Sequence, residues 1–151
     1  MDADYYCHTS TGRILYDPGK GTRHFDEWYA IVECDRGIIE YLSWHLLRWG
    51  IAVHKGSRWG AHVTFVRGEQ PPCPEFWGEA AGEEVAFHYS HVVRWDNGFH
   101  AWVDVWCPRL TELRSRLGLV AKTTAKYHLT LGRLARPRDN RKTDHGDPTV
   151  L

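Results

Sequence analysis

What this chain lacks narrows it first. No run of apolar residues approaches the roughly 20 needed to span a bilayer. The N-terminus, Met1-Asp2-Ala3-Asp4-Tyr5-Tyr6, has neither the basic start nor the apolar middle of a secretory signal. A soluble cytoplasmic protein with no membrane partner is therefore expected. Cys7, Cys34, Cys73 and Cys107 form no Cys-x-x-Cys spacing, so reduced structural thiols are expected in place of a disulfide framework or zinc motif. His-Glu-x-x-His and clustered carboxylates are also missing, which argues against two-metal phosphatase chemistry, and neither a metal nor an organic cofactor is expected. Nor is there an excess of charge: 19 Lys and Arg stand against 19 Asp and Glu. That balance excludes a broad basic surface for long nucleic acid, which depends on many phosphate contacts. It leaves room for the local positive patch that a small phosphorylated ligand or a nucleic-acid end requires.

What is present begins with aromatics. Eight Trp and seven Tyr among 151 residues are many. Most of them should be core, and the surplus offers faces on which bases can stack. The length suits one domain with a real core. Residues 1–24 carry Gly12, Pro18, Gly19 and Gly21 among polar residues and read as an irregular lead-in. Residues 28–34 read as a strand. From Gly37 to Trp49 apolar residues recur at three and four, predicting an amphipathic helix stopped by Gly50. A short strand at 51–54 and another at 60–67 follow. The prolines of Gln70-Pro71-Pro72-Cys73-Pro74 open a loop to about Gly82, which beside a functional strand suggests a lid or rim. Strands at 85–95 and 99–106 meet at Asp96-Asn97-Gly98, a hairpin signal. Pro108 opens a helix ended by Gly118, and a last strand runs from about 126 to 133. Strand, helix and final strand thus occur once in each half. The expectation is an α+β protein of pseudo-twofold design, with antiparallel sheets around a central cleft and helices outside. It predicts one domain of two lobes over 1–134 and a loosely ordered polar tail over 135–151.

The final strands of the two halves carry matched tetrads, His62-Val63-Thr64-Phe65 and His128-Leu129-Thr130-Leu131. Strand side chains alternate, so each His and Thr share one face while the apolar partners enter a core. Composition alone gives roughly 0.7 His-x-Thr spacings in this chain, falling to about 0.1 once apolar neighbours are required, so two hits by accident are rarer than about one in a hundred. A partial decoy, His88-Tyr89-Ser90, is followed by His91 rather than an apolar residue.

The paired tetrads resemble the 2H phosphoesterase superfamily, named for two His-x-Thr/Ser motifs on the strands of an internally duplicated, LigT-like fold. The stretch from Trp59 to Glu69 is similar to small phage-encoded members, some described as RNA-repair-like and others as degrading cyclic nucleotide signals of bacterial immunity. The resemblance implies a phosphodiesterase acting on a cyclic oligonucleotide messenger, in a host cytoplasm if viral. It also implies that Tyr6 stacks on a base and that Arg67 acts near the site. The acidic and aromatic C-terminal residues of those relatives have no counterpart here, since the tail after Leu134 holds neither Trp nor Glu.

The chemistry of the motifs stands beside that resemblance. In-line displacement at phosphorus needs a base on the entering oxygen and an acid on the leaving one, from opposite sides. Imidazoles suit both roles near neutral pH, and His62 and His128 are the candidates, their order open. Thr64 and Thr130 can donate to the non-bridging oxygens. Lys126 shares the face of His128 and can neutralise phosphate at the cleft edge, whereas alternation puts Arg67 on the face opposite His62. Trp59 and Trp106, like Tyr5, are candidates for base stacking. Two alternatives stay open: processing of RNA ends that bear a 2′,3′-cyclic phosphate or 2′-5′ linkage, and a non-catalytic nucleotide-binding sponge.

Overall fold

A computed structural model describes residues 1–120 and 127–135. Lys126 and the tail from 136 onward lie outside the described residues. The first regular element is one that the sequence hides. Residues His8–Tyr16 form a nine-residue strand, β1, in place of the irregular lead-in. Its more buried positions hold His8, Ser10 and Gly12, so the alternation expected of a half-buried strand becomes apolar only at Ile14. Gly12 is there for close approach and not for a turn. A Cβ on it would sit 2.5 Å from Val32 Cγ1 and 2.6 Å from the Glu33 carbonyl oxygen.

The remaining elements follow the expected pattern. Strand β2 (Tyr29–Cys34) leads through an Asp35 cap, whose carboxylate accepts the Gly37 N–H at 2.7 Å, into helix α1 (Arg36–Arg48). Next come β3 (Val53–Lys55) and the first motif strand, β4 (His62–Arg67). Strands β5 (Glu84–Trp95) and β6 (His100–Trp106) form the expected hairpin. The left-handed residue of its turn is Phe99, at φ 61°, rather than the glycine. Asp96 holds that turn by accepting the backbone N–H groups of Gly98 and His100, each at 2.9 Å. Helix α2 (Pro108–Arg116) starts on its proline, Gly118 at φ 75° lets the chain leave it, and β7 (Tyr127–Leu134) is the second motif strand.

All pairings are antiparallel. The strand order is β3-β7-β4-β2-β1-β5-β6, and β7 pairs with β6 as well, so six strands close into a barrel while β3 rides on one end of β7. One continuous apolar core joins Val63, Phe65, Val103, Leu129 and Leu131 from the strands to Ile38 and Leu42 of α1 and Leu110, Leu113 and Leu117 of α2. Burial pushes the Cys34 thiol up to about 12 and raises that of Cys107, so both stay protonated within this core. The four cysteines are free. No described helix is long and apolar enough to cross a membrane.

The proline-rich loop does not act as a lid. Cys73 N–H bonds the Leu117 carbonyl at 3.0 Å, the Trp77 indole donates to the Asp17 carboxylate at 3.2 Å, and Arg116 of α2 pairs with Glu79 at 2.7 Å. These contacts lay the loop, with its single 3₁₀ turn at Pro74–Phe76, on the α2 side of the molecule. It contributes no side chain to the cleft described next.

Candidate functional site

The two motif strands are neighbours, with Val63 directly opposite Leu129. In an antiparallel pair, one step either way places His62 across from Thr130 and Thr64 across from His128. The two histidines are then diagonal neighbours, a relationship that sets residues about 7–8 Å apart and their Cβ atoms somewhat closer. Val63 and Leu129 enter the core, while His62, His128 and Thr130 border one open cleft of about 1030 Å³. Thr64 shares the strand face but stands back from the open space, 3.5 Å from the Tyr29 hydroxyl.

His62 is only 8% exposed, and its ring is oriented at both nitrogens. Its Nδ1 lies 3.0 Å from the Gly60 carbonyl, which can only accept, so Nδ1 carries the proton. The lone pair is therefore on Nε2, 3.2 Å from the Tyr29 hydroxyl. Burial lowers the pKa of this imidazole and the Arg67 charge lowers it further, while the Gly60 bond opposes both. A neutral ring with a defined tautomer is what a general base requires.

Arg67 borders the same cleft, contrary to simple alternation along β4. The reason is a bulge. On β2, Ala30 and Ile31 are consecutive, yet their partners on β4 are Val66 and Thr64, which leaves Phe65 as an extra residue. A bulged residue reverses the phase of everything after it, and Arg67 returns to the face of His62. There its guanidinium lies over the Tyr29 ring at 5.2 Å. The bulge is pinned from behind by Arg114 of α2, 2% exposed, which donates to the Phe65 carbonyl at 2.6 Å and to both Glu69 carboxylate oxygens at 2.9 Å.

The wall around His128 comes from β6. Asp104 is its register partner, and Trp102 is the partner of Thr130. Asp104 is a buried carboxylate that accepts from the Tyr5 hydroxyl at 2.7 Å and pairs with Arg94 at 3.2 Å. Four arginines, Arg58, Arg67, Arg94 and Arg133, face three aspartates, Asp26, Asp96 and Asp104, around the cleft. Arg67 pairs with Asp26 at 3.8 Å and Arg94 with Asp104, so the cleft rim carries a formal excess of one positive charge, with Arg58 and Arg133 outside those two pairs.

Of the expected binding residues, Trp59 and Arg67 border this cleft, while Tyr6 and Trp106 do not. Those two lie together in a separate groove beside α2, with Tyr6 buried. Tyr5, its neighbour, is the aromatic that reaches the cleft wall through Asp104. Lys126 lies outside the described residues. The decoy is spent on structure, with His88 3.1 Å from Thr9 Oγ1 and the Ser90 hydroxyl accepting the Val92 N–H at 2.8 Å. Tyr29, Arg94, Trp102 and Asp104 were not singled out from the sequence. For Asp104 a signal existed, a charge set between Val103 and Val105 inside an otherwise core-forming strand.

Comparison with models of known protein families, with curated proteins and with solved structures yields no significant match.

Proposed function

We propose that the chain is a 2H phosphodiesterase that cleaves a nucleotide phosphodiester by two-histidine acid–base catalysis, without needing a metal for the chemical step. The observation that carries this is the register of β4 and β7, which sets two His/Thr pairs across from one another on one strand face, with His62, His128 and Thr130 bordering a single cleft. The strand pairings also support a duplicated architecture. In the first half β1 pairs with β2 and β2 with β4; in the second β5 pairs with β6 and β6 with β7; the halves join through β1 with β5 and β4 with β7, each strand meeting its own counterpart.

His62, neutral and lone-paired at Nε2, takes the proton of the attacking hydroxyl. The new phosphorus–oxygen bond forms as the bond to the leaving oxygen breaks, and His128, the more exposed ring, returns a proton to that oxygen. Thr130, which borders the cleft, donates to a non-bridging oxygen, while Thr64, set back against the Tyr29 hydroxyl, supports the base side of the site through that phenol. Arg67 and Arg94 balance the remaining negative charge, and Trp59 and Trp102 offer faces for bases. The cleft is at the upper end of the volumes typical of small-molecule sites. That volume accommodates a substrate of more than one nucleotide, and the resemblance to small phage-encoded 2H members is what favours a cyclic oligonucleotide immune signal over a 2′,3′-cyclic RNA end.

The test is hydrolysis of linear and cyclic 2′-5′ and 3′-5′ oligonucleotides and of 2′,3′-cyclic phosphates, with EDTA present. The expected outcome is turnover that survives EDTA and falls by about 10²-fold or more in His62→Ala and in His128→Ala. Tight binding without turnover, unchanged in both variants, would replace the enzyme with a sponge. Preference for RNA ends would move the substrate and keep the mechanism.

A further inference from the structure

A second cluster of reactive side chains lies apart from the cleft. Between Tyr89 and Val93 strand β5 advances four residues while its partner β6 advances two, from Val105 to Val103. Such a bulge re-aims the side chains it carries. Ser90, fully buried, braces it through Val92, and His91 meets the segment just ahead of β1. There His91 Nδ1 lies 3.1 Å from the Cys7 sulfur, and its ring meets that of His8 edge-on at 6.1 Å. The His8 ring is itself stacked on Tyr89 at 5.1 Å. One donor atom from each of Cys7, His8 and His91 lies within 4.8 Å of the others.

We propose that Cys7, His8 and His91 form a site for a borderline transition-metal ion, Zn²⁺ above all. One thiolate and two imidazoles are a soft-to-intermediate donor set that suits zinc and disfavours magnesium or calcium. Tetrahedral bonds of about 2.3 Å to sulfur and 2.0–2.1 Å to nitrogen set donors about 3.3–3.6 Å apart. The present spacing closes to that with movements of about 1 Å. Cys7 and His91 are exposed and His8 is partly so, which gives the ion an entry path and leaves a fourth position for water. Binding displaces the Cys7 thiol proton to solvent and takes both imidazoles in their neutral form.

The ion's role follows from what it joins. Cys7 belongs to the N-terminal segment and His91 to β5. Two residues before Cys7 is Tyr5, which donates to Asp104 and accepts from Arg94 at 3.2 Å. A metal here staples the segment to the barrel and holds Tyr5 at the cleft wall, taking no part in the acid–base step.

Co²⁺ added to the tag-free, reduced, EDTA-stripped full chain reads the site directly, because a thiolate ligand gives a sulfur-to-cobalt charge-transfer band and tetrahedral coordination gives visible d–d bands. The expected result is a one-to-one complex displaced by Zn²⁺, with bands lost in Cys7→Ser and His91→Ala and retained in Cys73→Ser. Zn²⁺ should also protect Cys7, and not Cys73, from alkylation in the folded wild-type chain, a readout that needs no variant. Bands that persist in Cys7→Ser, no saturable Co²⁺ complex, or Cys7 alkylated equally with and without Zn²⁺ would each overturn the site.

Discussion

The Tyr29 hydroxyl donates its hydrogen bond to His62 Nε2 across 3.2 Å, since the other ring nitrogen is already committed to Gly60. The lone pair that would accept a substrate proton is therefore held by a phenol until a substrate hydroxyl replaces it. This bond favours the neutral ring, and a net contribution of about 1 kcal/mol corresponds to about fivefold in the protonation equilibrium. In Tyr29→Phe the acidic limb of kcat/KM should move to higher pH. Activity on that limb should fall about fivefold, while at pH 8, where the ring is neutral either way, it should stay near wild type. A uniform loss at all pH values would contradict the assignment.

His62 also sets a pH dependence of stability. Burial and then the Arg67 charge hold its folded-state pKa below the ordinary 6.5. An unfolded chain takes up a proton that the folded chain refuses, so this contribution is complete above 6.5 and is lost as the pH falls through the folded-state value. Urea midpoints measured from pH 7.5 down to 5 should fall more steeply for wild type than for His62→Gln. Arg67→Gln removes one of the two lowering influences and should move the acidic limb of kcat/KM to higher pH.

Arg114 connects the core to the cleft without touching it. Removing its guanidinium takes one donor from the Phe65 and Val120 carbonyls and from the Glu69 carboxylate. Arg114→Met should cost about 2 kcal/mol through the buried carbonyls that lose a donor, a fall of about 4–8 °C in Tm. Below that transition KM should rise, because the bulge that turns Arg67 into the cleft loses its clamp. Leu113→Ala, chosen as a comparably destabilised control in the same helix, should leave KM unchanged.

Gly132 occupies φ 147°, and a Cβ there would lie 2.2 Å from the His54 carbonyl oxygen and 3.0 Å from Val53 Cγ1. It is the point where β3 crosses onto β7. Gly132→Ala should destabilise the chain by about 2–3 kcal/mol through overpacking and backbone strain. Thermal unfolding followed by circular dichroism should show a loss of about 5–10 °C.

Much of this was legible in the chain, and the gaps have physical causes. The tetrads could be read because alternation along a strand is a local property, and α1 and α2 because Ile38, Leu42, Leu110 and Leu113 recur at helical spacing. Strand β1 could not, since its more buried side carries His8, Ser10 and Gly12. The position of Arg67 depends on the extra residue Phe65, a feature of pairing with β2 that no single strand announces. Tyr6 and Tyr5 are chemically alike as letters, and only the placement of Asp104 and Arg94 decides which of them is tied to the cleft wall.

Closure of the barrel also bears on the order of synthesis. Strand β7 is made after each of its partners β3, β4 and β6. Until it emerges, a growing chain presents the edges of β4 and β6 unpaired, the kind of surface that recruits other strands. It also holds His62 with no Thr130 across from it. Leu129, arriving opposite Val63, covers those edges and sets Thr130 across from His62 in one event, so a chain that stops short of β7 is left with both an exposed strand edge and an incomplete cleft.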